Sequence, residues 1–192
     1  MIQVIFPTSF FAHIVPSNKN ELLRACKYVK IDKKIEQPDW VRGCRLRVDN
    51  LEYEKLAEVL RPSISAALKD LEIDPSSNFE MTGLWRNTYY EGDYQEIHDH
   101  VVDTDVVRGL GLSAVLFLED YDPDGGGGFF FYNANQIARI YGNILGNDSS
   151  RSYLLTPNAG EIVFFPSYML HGVSPHRSKR PRTTISFNLR IV

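Results

Sequence analysis

Three histidines and one arginine are the residues of this chain whose types and spacing can do chemistry together. His98 and His100 stand two apart in Tyr-Gln-Glu-Ile-His-Asp-His, His171 lies far downstream in Met-Leu-His-Gly-Val-Ser-Pro, and Arg182 follows it. In a strand, residues i and i+2 point to the same face, so His98 and His100 can offer two nitrogen atoms to one metal. A single histidine beside a strand is more often a satisfied structural residue, but the combination with His171 favours a site. Imidazole suits iron, zinc, copper or nickel. Three protein ligands with no evident fourth leave coordination positions open, which is a catalytic and not a structural arrangement.

The elements that must position these residues change in kind along the chain. Helix signals come early. Residues 18–30 begin with a polar cap and set Leu22, Leu23, Cys26 and Val29 near one face. A second helical stretch opens after Asp49-Asn50 and runs through Leu51, Leu56, Val59, Leu60, Ile64, Leu68 and Leu71, where Pro62 is expected to break or kink it. From Thr82 onward the sequence is β-rich: residues 83–90, 94–101, 112–119, 128–132, 153–156, 161–165 and 183–191 read as strands bounded by Gly, Pro or Asp. Short strands at this spacing argue for a sandwich or barrel.

Gly125 to Gly128 are not followed by Lys-Ser/Thr or by a helix signal, which argues against a phosphate cradle. They read as a hairpin connection between the strands on either side. The basic run from His176 to Arg182 reads as a solvated turn, with only Arg182 directed inward. Residues 133–152 form a long insertion rich in Asn, Gly and Ser, a length typical of lids.

Composition bounds the rest. A chain of 192 residues suits a single domain, with 1–81 as an N-terminal strand and supporting helices and 82–192 as the core carrying the site. Hydrophobic content of 43%, charge of 23% and a net charge of -3 describe an ordinary cytoplasmic globule, with no basic excess that would point to nucleic acid. Cys26 and Cys44 match no CxxC or zinc-knuckle spacing and read as buried or free thiols. The apolar start of the chain lacks a basic n-region and is interrupted by Pro7 and His13, so it reads as a first strand and turn. No segment approaches a membrane span.

The stretch from Thr82 to Val192 resembles the iron(II)- and 2-oxoglutarate-dependent oxygenases, in particular their prolyl-hydroxylase-like branch, which includes proteins of marine bacteria and their phages. The segments that carry the resemblance stand in order. They are residues 84–90 (Leu-Trp-Arg-Asn-Thr-Tyr-Tyr), 94–100 with the two histidines, 112–118, the glycine turn, 160–166 (Gly-Glu-Ile-Val-Phe-Phe-Pro), 171–175, and 182–188 (Arg-Thr-Thr-Ile-Ser-Phe-Asn). The resemblance implies a mainly β fold with flanking helices around a double-stranded β-helix, the jelly-roll, cupin-like barrel. It implies Fe(II), 2-oxoglutarate as co-substrate, and O2, with decarboxylation to succinate and hydroxylation of an unactivated C–H bond. The substrate side is a peptidyl prolyl, another protein side chain or a small molecule; the location is the cytoplasm, or the host cytoplasm for a phage protein, and the assembly a monomer or homodimer.

The resemblance also assigns roles. Arg182 stands where such enzymes hold the far carboxylate of 2-oxoglutarate, and its planar, always-charged fork matches a carboxylate. Thr184, two residues on, shares its face; from their own position on the strand before the first ligands, Tyr89, Trp85 and Tyr90 can line the co-substrate or substrate pocket or, equally, pack as aromatic core. Val115, Phe117, Ile162 and Phe164 are expected to form the apolar walls that exclude water. One departure stands out. The usual ligand pattern is His-x-Asp with a distal His, whereas this chain has His98-Asp99-His100. A regular strand turns Asp99 away and leaves His98, His100 and His171 as the metal ligands; a bulge would let Asp103 or Asp99 supply the middle ligand instead. A cupin-type metal-binding protein or isomerase without 2-oxoglutarate turnover is the alternative on the same barrel, and Arg182 discriminates between the two.

Overall fold

The computed structural model describes residues 9–35, 46–52, 54–74, 78–101, 111–134 and 152–191. Cys44, Asp103 and nearly all of the 133–152 insertion lie outside the described residues. The elements are β1 (Ala12–Ile14), α1 (Lys19–Tyr28), β2 (Ile31–Ile35), β3 (Arg47–Leu51), α2 (Glu54–Asp70), β4 (Phe79–Tyr89), β5 (Gln95–His98), β6 (Gly111–Phe117), β7 (Phe129–Tyr132), β8 (Ser152–Leu154), β9 (Ile162–Pro166), β10 (His171–Val173) and β11 (Arg182–Ile191). A seven-stranded sheet runs β1-β9-β6-β11-β4-β3-β2, and a four-stranded sheet runs β5-β10-β7-β8. All the pairings are antiparallel. Two facing antiparallel sheets with helices on one outer side form the expected jelly roll.

Strand parity decides what each face carries. On β11 the sequence alternates, so Ile185, Phe187 and Leu189 join Leu112, Ala114 and Leu116 of β6 and Ile162 and Phe164 of β9 against the helices. There they meet Leu22 and Cys26 of α1 and Leu56, Leu60, Ile64, Ala67 and Leu68 of α2. The opposite face packs Val115, Phe117, Val163 and Phe165 on Phe129, Phe131 and Val173 of the small sheet. Ile162 and Phe164 therefore face the helices and not the space between the sheets. Val163 and Phe165 are the inner walls, because a shift of one residue exchanges the faces of a strand.

Three further sequence expectations change. Asp49-Asn50 belong to β3, which pairs with both β2 and β4, and α2 starts only at Glu54. Local polar character loses here to pairing on both sides, with buried Asp49 held by Arg47 at 3.2 Å. Pro62 does not end α2. The proline and Glu58, whose carbonyl loses its helical donor, are both exposed, so water can take that carbonyl. The glycine run is no hairpin either: β6 and β7 lie in different sheets. It crosses between them, with Gly126 and Gly127 at φ of 64° and 67°, a region glycine enters without the Cβ penalty.

Candidate functional site

Between the sheets, β11 sends a polar row inward: Arg182, Thr184, Ser186 and Asn188. Each sits across from an inward position of β4, with Arg182 paired to Tyr89, Thr184 to Asn87, Ser186 to Trp85 and Asn188 to Gly83. Polar residues on an inner face are costly unless partnered. The Asn87 amide donates to Ser186 Oγ at 3.1 Å and to Thr184 Oγ1 at 3.5 Å. The upper part of this row opens into a narrow cleft lined by Trp85, Tyr89, Gln95, His98, His100 and Phe129, together with His171, Arg182 and Thr184.

The three histidines converge in that cleft. His171 opens β10 directly opposite His98 of β5, so the two are antiparallel neighbours on one face. His100 lies just beyond the end of β5 and is fixed differently. Its backbone N–H donates to the Ser167 carbonyl at 2.9 Å, and its Nδ1 meets Asn188 Oδ1 at 3.0 Å and Ser113 Oγ at 2.9 Å. Ring centroids are 4.3 Å apart for His98 and His171, 4.9 Å for His100 and His171, and 5.2 Å for His98 and His100. One nitrogen of each lies within 4.8 Å of the others.

The far side of each ring is already committed. His98 Nδ1–H donates to the Glu96 carbonyl at 2.7 Å and His171 Nδ1–H to the Met169 carbonyl at 2.8 Å. Such partners fix the tautomer and turn Nε2, with its lone pair, toward the cleft. Burial lowers the pKa of His98. Burial, then repulsion from His98, lowers His100 to about 4. Burial, then repulsion from His98 and His100, takes His171 well below its ordinary value. All three imidazoles are thus neutral at physiological pH, the form that ligates metals.

The nitrogen set fits a divalent cation. His98 Nε2 and His100 Nε2 are 3.2 Å apart. Two imidazoles holding one metal at about 2.1 Å in neighbouring positions have nitrogens about 3.0 to 3.4 Å apart. Asp99 is not part of the cluster: it is exposed, and its Oδ1 accepts the Val101 N–H at 3.1 Å.

At the other end of the cleft the Arg182 guanidinium lies 5.5 Å from the Tyr89 ring and 5.7 Å from the Phe117 ring. Burial lowers its pKa, opposed by the nearby Tyr89, Glu119 and Tyr121 groups. Among the described residues its buried Nη1 has no hydrogen-bond partner, and the same holds for Trp85 Nε1. Buried donors without acceptors are rare, and a bound carboxylate would supply acceptors. Burial, the largest influence, raises the pKa of Glu119, which also accepts the Thr183 N–H at 2.8 Å. Gly127 lets the crossing loop press close, since a Cβ there would sit 3.2 Å from Arg182 Cδ and 3.0 Å from His176 Nδ1.

Sequence reasoning placed His98, His100, His171, Arg182, Thr184, Tyr89 and Trp85 at one site, and the structure brings all of them to this cleft. Tyr90 does not line it and is 45% exposed. His176 is buried beside the half-buried Arg182, against the expectation that Arg182 alone turns inward. Its Nε2 meets the Arg180 carbonyl at 2.8 Å, which ties the basic turn down. Asn188, Ser113 and Gln95 were missed. The alternation of polar and apolar residues along β11 was the available signal for Asn188; Ser113 stands on β6 between apolar neighbours, a buried serine that needs partners.

Comparison with known proteins gives the following. A family model described as "Putative 2OG-Fe(II) oxygenase" matches residues 83–188. A 2OG-Fe(II) oxygenase family oxidoreductase from Burkholderia pseudomallei has a similar structure, with a TM-score of 0.64 at 12% identity over 94% of this chain and 85% of that one. A Pseudomonas putida prolyl-4-hydroxylase gives 0.63 at 17% identity over 96% and 94%. The epimerase SnoN, in complex with Fe3+, alpha ketoglutarate and nogalamycin RO, gives 0.64 at 12% identity over 94% and 78%. No curated protein matches the chain in sequence.

Proposed function

The chain belongs to the 2OG-Fe(II) oxygenase family, and from that premise we propose that it hydroxylates an unactivated C–H bond, using His98, His100 and His171 to hold iron(II) and Arg182 to hold 2-oxoglutarate. The observation that carries this reading is the pairing of features in one cleft. Three Nε2 lone pairs converge at one end, and a buried guanidinium with an unpartnered Nη1 stands at the other. When bound, iron(II) supplies the oxygen-activating chemistry coupled to decarboxylation of 2-oxoglutarate to succinate.

The chain's own residues do the rest. Glu96 and Met169 carbonyls and the Asn188 amide hold the imidazoles in the ligating tautomer. Arg182 neutralises the far carboxylate of the co-substrate, with Thr184 beside it on the same strand face and Tyr89 flanking its guanidinium. Val115, Phe129, Val163 and Phe165 keep the inner face apolar and dry. A neutral third imidazole in place of a carboxylate leaves the site one negative charge short of the family's usual ligand set, which strengthens its pull on an anionic co-substrate.

The substrate class that fits best is a peptidyl prolyl or another protein side chain, on the likeness to a prolyl-4-hydroxylase; a small molecule is the other outcome of the same screen. Among the described residues no helix is long and apolar enough to cross a membrane. The test is succinate release from the iron-loaded protein with 2-oxoglutarate and O2 across a panel of proline-containing peptides and small molecules, with the hydroxylated product identified by mass. Release stimulated by no panel member, from a protein that binds both iron and 2-oxoglutarate, would overturn the substrate class.

A further inference from the structure

Gln95 stands three residues before His98 on β5, and two contacts fix its amide. Its Oε1 accepts the Tyr89 hydroxyl at 3.0 Å. That turns its Nε2 toward the histidine cluster, where it lies 3.2 Å from His98 Nε2. Because His98 Nδ1–H is committed to the Glu96 carbonyl at 2.7 Å, His98 Nε2 carries a lone pair and accepts the Gln95 N–H. That lone pair is the one a metal needs. An imidazole nitrogen has one lone pair and cannot serve both at once.

Gln95 is only 9% exposed. Once a metal takes His98 Nε2, its N–H loses this acceptor in a place that water reaches poorly, and a buried donor left unmade is costly. The N–H is then free in the same cleft as Arg182 and Thr184, next to whatever binds beside the metal. We propose that Gln95 is a latch that couples metal binding to co-substrate binding: it caps His98 in the metal-free protein and, once displaced, donates to a carboxylate oxygen of 2-oxoglutarate at the metal. The inference rests on His98 being a metal ligand, as proposed above. It makes Gln95 a binding residue for the co-substrate and a competitor of the metal.

The two roles have opposite signs, which separates them from simple support. Removing the amide N–H removes a competitor for His98 Nε2, so iron(II) binds more tightly. It also removes a donor to an anion, so 2-oxoglutarate binds more weakly. A residue that merely shaped the cleft would weaken both. The experiment is anaerobic calorimetry on the full chain: iron(II) into metal-free protein, then 2-oxoglutarate into iron-loaded protein, for the unmutated chain, Gln95→Leu and Gln95→Met. Both variants remove the amide donor without adding a charge that would itself attract the cation and repel the co-substrate; Gln95→Met, unbranched and close to glutamine in length, carries the test alone if the leucine variant does not fold. Both are expected to bind iron(II) at least as tightly as the unmutated chain and 2-oxoglutarate about tenfold more weakly or worse, the scale of one hydrogen bond to a charged group. Weaker iron(II) binding, or 2-oxoglutarate affinity unchanged, in Gln95→Met overturns the latch alone. Failure of the unmutated chain to bind iron(II) overturns the metal centre and the latch with it.

Discussion

Replacing Arg182 with methionine removes the charge at the far end of the cleft while keeping a side chain that can lie against Tyr89 and Phe117, whose rings are 5.5 and 5.7 Å from the guanidinium. The buried Nη1 has no partner among the described residues, so the substitution breaks no hydrogen bond of that atom and relieves an unsatisfied donor. Folding stability should therefore hold or rise slightly. Binding should not. A dicarboxylate seated here needs its far charge neutralised inside a largely apolar space, and truncating one partner of a buried charge pair costs about 2 to 5 kcal/mol. At about 1.4 kcal/mol per tenfold, that is roughly a 30-fold to 3,000-fold loss in affinity. Arg182→Lys, which retains charge without the planar fork, should fall between. The assay is anaerobic calorimetry of 2-oxoglutarate into iron(II)-loaded protein, beside iron titration of the same variants. The methionine variant should bind iron(II) as well as the unmutated chain does. Unchanged 2-oxoglutarate affinity would mean that another group holds the carboxylate and that the orphaned guanidinium has a different purpose.

Other outcomes follow from the same geometry. His98→Ala and His171→Ala should each abolish iron(II) binding, and His100→Ala should too; retention in His100→Ala with loss in Asp103→Ala or Asp99→Ala, measured by metal analysis after gel filtration, would return the middle ligand to a carboxylate. Asn188→Leu removes one of the two partners of His100 Nδ1 and leaves Ser113 Oγ, so metal affinity should fall about 10- to 100-fold, with the isosteric Asn188→Asp retaining most of it. The metal-free protein should lose stability in acid. His98, His100 and His171 have pKa values lowered by burial, His100 to about 4, so the unfolded chain binds their protons more readily than the folded one. Their contribution is intact above about pH 6.5 and is lost as pH falls toward about 4, a change on the order of 3 kcal/mol for His100. Melting temperatures across that range check it, and a flat profile would contradict the neutral, buried cluster.

Much of this was legible in the sequence because period and composition report on burial. The β-rich stretch after Thr82 and the apolar spacing of α1 and α2 followed from pattern alone, and the ordered segments around His98, His171 and Arg182 named residues that share one cleft. What failed was parity and pairing. β9 is buried on both faces, so nothing in Ile-Val-Phe-Phe says which residues face the helices. β10 has three residues, His171–Val173, too few to show a period. β3 is a strand because β2 and β4 flank it, although Asp49-Asn50 read locally as a helix cap. The convergence of His100 owes less to strand alternation than to Ser113, Ser167 and Asn188, which come from β6, from the turn after β9 and from β11. Only tertiary structure joins them.

On the proposed function, one cleft holds iron(II) on three histidines and 2-oxoglutarate between that iron and Arg182. The most direct measurement is the stoichiometry of anaerobic 2-oxoglutarate binding to the full chain with and without iron(II). One iron per chain and one 2-oxoglutarate per iron are expected, with binding of the co-substrate weak or absent in the metal-free protein and in His171→Ala. A protein that binds the metal on these histidines yet takes up no 2-oxoglutarate would contradict it and would assign the barrel to the cupin-type metal-binding proteins.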